Sequence, residues 1–266
     1  MNKLLLTIFT VLISFVFTFS VFAQSNAQLE KELVSAIKEV QKYSNYGENS
    51  DDEKLSKAND TFEAKLLKYT KAASTLQCKF SELGEILIIA TSDDGKFRIY
   101  SWDMEDGGTM HDYRSVYQYV GADSKIYSQT DKKLSAEDGG VGSFVYDIFA
   151  VPNKGGNIYI ACSTFIGSTS DHYQSAGLYK ITGKKLNGNV KLIKTKSGLT
   201  DSIGFEYNFF SVVDREERPI KLIKYNAKTK TLKIPVVIKK DENDFGTVTD
   251  KFINYRFNGT YFVKVN

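Results

Sequence analysis

The sequence predicts a mainly β protein: an N-terminal α-helical hairpin followed by an antiparallel β domain of about 11–12 strands, arranged as a small propeller-like meander, a barrel or a sandwich. Three observations predict it. Between Leu29 and Leu76 apolar residues recur at three- and four-residue steps, the period of an amphipathic helix. From Glu85 onward apolar and polar residues alternate, and turn residues arrive roughly every eight to twelve positions. The 16 Tyr and 18 Phe crowd the chain after residue 96, and aromatic side chains suit the pleated, half-buried surface of a sheet.

Residues 1–23, MNKLLLTIFTVLISFVFTFSVFA, read as a cleavable export signal. Lys3 supplies the basic start, Leu4 to Phe22 an apolar run broken only by Thr and Ser, and Ala23 a small residue before Gln24. The run is almost long enough to span a bilayer, but the Ala23 site and the charged helix behind it favour removal over anchoring. No cysteine follows the run to carry a lipid. The expected product is exported, periplasmic or extracellular, with no stable membrane insertion after cleavage. Its expected organisation is a helical hairpin over 24–78 and a β domain over 79–266.

Leu29, Leu33, Ile37 and Val40 mark a helix over about Ala27 to Tyr43. A polar connector, Ser44 to Asn49, leads to Ser50 and Glu53, the pattern of a capping box. Behind it Leu55, Ala58, Phe62, Leu66, Tyr69, Ala73 and Leu76 predict one apolar stripe on a second helix. Each stripe needs burial, against the other helix or against the β domain. Three β-hairpins are predicted from their turns: Asp94-Gly95, Asn153 to Gly156, and Asn258-Gly259, the last suited to a type I′ turn. Further strands are expected near Ser115 to Val120, Gly177 to Ile181, Val190 to Thr195, Phe205 to Val213, Ile220 to Tyr225 and Thr231 to Val237.

The segment Ser92-Asp93-Asp94-Gly95-Lys96-Phe97-Arg98-Ile99-Tyr100-Ser101-Trp102-Asp103 resembles the strand pair of a WD-type propeller blade, with a DG turn before an alternating strand ending in Trp-Asp. The likeness spans twelve residues once and does not recur at a period near 40. It keeps a propeller-like meander beside barrel and sandwich.

Cys78 and Cys162 are the only cysteines. In an oxidising compartment they form a candidate disulfide, while the apolar run around Cys162 equally suits a buried free thiol. With no CxxC pair and no Cys and His cluster, neither a metal site nor a cofactor is expected. Charge divides along the chain. Residues 24–176 carry 16 Lys and Arg against 23 Asp and Glu, and residues 177–266 carry 18 against 9. That asymmetry either marks a surface for anionic partners or is diluted by the two segments lying side by side in the fold. For an exported chain nucleic acid is excluded as the partner; a glycan, a peptide or another envelope protein is expected.

Two segments carry the candidate binding residues. In Trp102 to Tyr113, Asp103, Asp106 and His111 offer oxygen and nitrogen ligands, and Trp102 or Tyr113 a ring to stack on a sugar; a plain polar loop is the competing reading. In Gly167 to Tyr173, Asp171 and His172 lie next to serines, but residues adjacent in sequence rarely align as a catalytic relay. No catalytic residue is assigned. The expected function is a non-catalytic binding or envelope-associated module. The alternatives are a hydrolase using the His111 and His172 loops together, and an interaction protein docking through its helical hairpin.

Overall fold

A computed structural model describes residues 26–130 and 142–265; residues 1–23, expected to be an export signal, lie outside them. Helix α1 covers residues 26–42 and α2 covers Asp52–Tyr69. The N-cap of α2 is Asp51, whose carboxylate accepts the Lys54 backbone N–H at 3.0 Å. The expected Ser50 cap instead ties down the connector, donating to Asn45 Oδ1 at 2.6 Å. The second helix also stops at Tyr69 rather than running to Leu76. Thr70 turns its hydroxyl back to the Leu66 carbonyl at 2.7 Å, and a separate turn, α3 (Ala73–Leu76), follows. Among the described residues no helix is long and apolar enough to cross a membrane.

Among the described residues fifteen strands follow, in three sheets. The first is a meander of β1 (Ile88–Thr91), β2 (Phe97–Asp103), β3 (Tyr113–Val120) and β4 (Ile126–Thr130). The second contains β5 (Phe144–Val151), β6 (Ile158–Ile166), β7 (Asp171–Thr182) and the short β8 (Lys185–Asn187), with β11 (Ser202–Asn208) on the far side of β7. The third runs in the order β10-β9-β15-β14-β13-β12. Its members are β9 (Ile193–Thr195), β10 (Gly198–Thr200), β12 (Lys224–Asn226), β13 (Thr231–Ile238), β14 (Thr247–Phe257) and β15 (Phe262–Val265). Every pairing is antiparallel except β15 with β9. The three predicted hairpins form, but the last is not the expected type I′ turn on Asn258-Gly259. Gly259 takes a positive φ, 101°, while Asn258 does not, and Asn258 instead donates its N–H to the Tyr261 carbonyl at 3.0 Å, which puts Gly259-Thr260 at the tip.

The sheets stack as layers in sandwich fashion, with no closed barrel. Tyr100, Trp102 and Val116 on one face of the first sheet share a core with Leu33, Ile37, Phe62 and Leu66 of the helices. The alternate residues Phe97, Ile99, Tyr117 and Tyr119 pack against Val145, Ile148, Tyr159 and Ala161 of the second sheet. The other face of the second sheet, with Ile158, Ile160, Cys162 and Leu178, meets Ile193, Leu232, Ile234, Tyr255 and Phe262 of the third. Two sheets covered on both faces explain why β2 and β6 are nearly continuously buried rather than alternating. A bulge between Val145 and Asp147 shifts the register of β5, so that Val145 and Ile148, three residues apart, both face the first sheet.

Both cysteines are free thiols, so the candidate disulfide does not form. Cys78 packs at the core beneath the helices, whereas Cys162 is fully buried between the second and third sheets. The first two sheets therefore keep the thiols in different cores.

Asp94 ties the first sheet to the second. It accepts from the Ser92 hydroxyl at 2.7 Å and the Lys96 backbone N–H at 3.1 Å within its own turn. Across the layer it accepts from Asn157 at 2.8 Å and Tyr159 at 3.0 Å. Burial pushes its carboxyl up, but these hydrogen bonds outweigh burial and hold it below its ordinary value of 3.8. The stabilisation is therefore complete above the unfolded value and is lost as pH falls through the lower folded one. Asp94→Asn is expected to flatten the acid limb of a stability-versus-pH curve measured by urea denaturation. An unchanged acid limb would remove Asp94 from that role.

Candidate functional site

The connector between α1 and α2 and the loop between β2 and β3 meet at one corner. The contact is built from the backbone outward. Asn45 donates its N–H to the Glu105 carbonyl at 2.8 Å, and its side chain donates to the Asp106 carbonyl at 3.2 Å. Ser44 donates to Glu105 Oε2 at 2.6 Å, and Glu105 donates its N–H to Asp103 Oδ1 at 2.8 Å. These bonds hold Glu105 at φ 60°, the left-handed region that a residue with a Cβ enters only under constraint. Gly107 lies so close to the Met110 carbonyl that a Cβ there would collide with it, which sets the tightness of the loop.

At the centre, His111 Nδ1 lies 2.5 Å from Asp103 Oδ2 and 3.2 Å from the Tyr46 hydroxyl. A hydrogen on Nδ1 given to Asp103 leaves Nε2 as the basic nitrogen. The Tyr46 ring packs 5.1 Å from the imidazole, and with 42% of its surface exposed it is the open aromatic of the corner. Burial pushes the Tyr46 phenol up, and the charges of Asp103, Glu105 and Asp106 push it further. Burial likewise raises the Glu105 and Asp106 carboxyls. Asp103 adds to the first shift against the Ser44 hydrogen bond; Asp112 and Asp103 add to the second. Among the described residues none of Glu105, Asp106 and Asp112 has an ion-pair partner.

The sequence-derived candidates divide accordingly. Asp103, Asp106 and His111 come together. Tyr113 lies beside them but packs edge-on against Phe144, 5.0 Å between centroids, and is no open platform. Trp102 is withdrawn from the site: it is 1% exposed, packs edge-to-face against Phe62, and donates its indole N–H to Asn59 at 3.0 Å beneath the helices. Its place in a strand with both faces covered excludes it from stacking on a ligand.

The two histidine segments do touch, through the backbone. His111 donates its N–H to the Ile166 carbonyl at 3.1 Å, and Ile166 stands opposite His172 in the β6–β7 register. Their side chains are not joined. His172 belongs to β7 rather than to a loop, is 8% exposed, and stacks on Phe209 at 4.6 Å with Tyr207 at its edge. Burial, and then the charge of His111, push its imidazole below the ordinary value. Asp171, as the preceding strand residue, points to the opposite face of the sheet and cannot orient it. Burial and the neighbouring Glu206 raise the Asp171 carboxyl, with Lys239 opposing. The residues that sequence reasoning missed are Tyr46, Ser44, Asn45, Glu105 and Asp112. The first three lie in a connector with no periodicity, and only the fold brings them to the loop.

Among the described residues no group of three or more His, Cys, Asp or Glu is arranged to hold a metal ion. No family model, no curated protein and no solved structure matches the chain.

Proposed function

We propose that this chain is an exported, non-catalytic binding module of the cell envelope, and that the Tyr46–His111 corner grips a cationic side chain of a peptide or envelope protein. The observation carrying this reading is a set of crowded carboxylates beside an exposed aromatic ring, whose mutual repulsion His111 and Arg114 oppose without forming an ion pair to Glu105 or Asp106 among the described residues. Glu105 and Asp106 repel their neighbours and are partly desolvated, so an arriving ammonium or guanidinium relieves a cost already present. The Tyr46 face adds a cation–π contact. The apolar stripes of α1 and α2 are used against the first sheet, which argues for this corner over the helical hairpin as the docking surface.

Calorimetric titration of residues 24–266 with a lysine-bearing peptide and its glutamate counterpart tests the proposal. Binding of the lysine peptide is expected, weakening as salt rises. The double change Glu105→Gln and Asp106→Asn is expected to lower affinity roughly tenfold or more. Equal binding of the two peptides, or an unaffected double variant, would sink it.

A second reading has one observation in its favour, the imidazole oriented by Asp103 at 2.5 Å, which is the geometry of a general base. It requires hydrolysis of an activated ester that disappears in His111→Gln. Activity surviving in that variant would end it.

A further inference from the structure

We propose that the outer face of the third sheet is a docking surface for a linear anionic polysaccharide. The strands of this sheet carry six basic residues, Lys194, Lys224, Lys233, Lys251, Arg256 and Lys264, against one carboxylate, Asp250. Leu232, Ile234, Tyr255, Phe257, Phe262 and Ile193 point inward to the core shared with the second sheet. Strand alternation therefore sends Lys233, Arg256 and Lys194 outward, together with Lys224, the register partner of Lys233. Lys264, the register partner of inward-facing Tyr255, lies on the other face, so four of the six cations share the outer one.

The register arranges these cations in rows across the sheet. One row runs Lys224, Lys233, Asn254, Val265; the next runs Arg256, Val263, Lys194, Leu199. Lys224 stands directly opposite Lys233, a like-charge pair that costs stability in a sheet. Among the described residues no carboxylate forms an ion pair with either lysine. Both ammonium groups lie over the Phe252 ring instead, at 5.5 and 6.0 Å from its centroid. Among the described residues none of the six basic side chains is in an ion pair. Elsewhere Arg114, Lys221 and Lys239 each have a carboxylate within reach. An uncompensated, repeating set of cations fits a partner whose negative charges also repeat.

A polysaccharide fits better than a membrane. Interfacial binding draws on several inserted apolar side chains, and the only large apolar residue on these two rows more than a third exposed is Leu199, at 45%. The choice of a polysaccharide over nucleic acid rests on the export reading, while the surface is separate from the Tyr46–His111 corner.

The test measures binding of residues 24–266 to polygalacturonate, to neutral dextran, to vesicles of anionic phospholipid and to duplex DNA. Polygalacturonate is expected to bind, dextran not, and added salt to weaken the complex. Lys224→Gln with Lys233→Gln and Arg256→Gln is expected to reduce affinity by roughly tenfold or more, with a melting temperature equal or higher because the like-charge pair is gone. A control removing the same charge from helices, Lys31→Gln with Lys38→Gln and Lys57→Gln, is expected to retain binding. Equal binding of dextran, tighter binding of vesicles or DNA, or equal losses in the two triple variants would overturn the proposal. Glu105→Gln with Asp106→Asn is expected to leave polygalacturonate binding intact, so failure of either surface is read independently of the other.

Discussion

A chain lacking residues 24–76 is expected to aggregate rather than yield a soluble β domain. The helices are one wall of a core whose other wall is the first sheet, and their removal bares Tyr100, Trp102 and Val116, all essentially fully buried. An exposed apolar face of this kind, on a sheet only four strands wide, invites association. The polar groups fare worse. Arg98 is buried with its guanidinium donating to the carbonyls of Thr75 and Cys78, at 2.9 and 2.8 Å, and truncation removes the first of these. Gln118, fully buried, donates to the Thr70 carbonyl at 2.7 Å and to the Thr75 hydroxyl at 2.8 Å, and would lose both. Size-exclusion chromatography with a hydrophobic dye as reporter checks the result. A monomeric, dye-negative β domain would show that the helices are a detachable unit, and would revive the hairpin as a docking surface for another protein.

The helices, the hairpin turns and the change of period near Glu85 were readable because each is a local property of the chain: a stripe on one helix face, or a turn residue with the φ its turn demands. The layering was not. Phe97 to Asp103 has apolar residues at 97, 99, 100 and 102, a pattern that suits a buried strand without saying what covers each face. Strands as short as β8, β9 and β10 carry too few residues for any period, and β9 is defined by a parallel partner far along the chain. At the site, Asp103, Asp106 and His111 could be grouped because one loop carries them. Tyr46 could not, since 57 residues separate it from Asp103 and only the antiparallel return of α2 brings them together. Asp171 and His172 show why neighbours in sequence rarely act together: strand alternation sends them to opposite faces.

Gln174→Leu is expected to be among the most destabilising single changes in the second sheet, although it replaces a polar side chain in the core with an apolar one of similar size. Gln174 is fully buried on β7 and clamps the segment leading into the third sheet. Its Nε2 donates to the Ile220 carbonyl at 2.8 Å, while its Oε1 accepts from the Tyr146 hydroxyl at 2.9 Å and the Leu222 backbone N–H at 3.2 Å. Leucine would leave three buried groups without partners, at roughly 1–3 kcal/mol each, so a loss of about 3 kcal/mol or more outweighs any gain from apolar burial. For a domain of this size that corresponds to a fall of roughly 6–12 °C in melting temperature. Gln174→Glu separates the hydrogen bonds from the packing. It keeps the shape and the acceptor but places a carboxyl against the Ile220 carbonyl, in a setting where burial disfavours the charge. The folded state then binds its proton more tightly than the unfolded one, so the variant is expected to lose stability as pH rises from the ordinary glutamate range toward neutrality. Denaturation curves for both variants across that range decide the matter. If Gln174→Leu is as stable as the parent, or if Gln174→Glu shows no dependence on pH, the glutamine is not what joins these two layers.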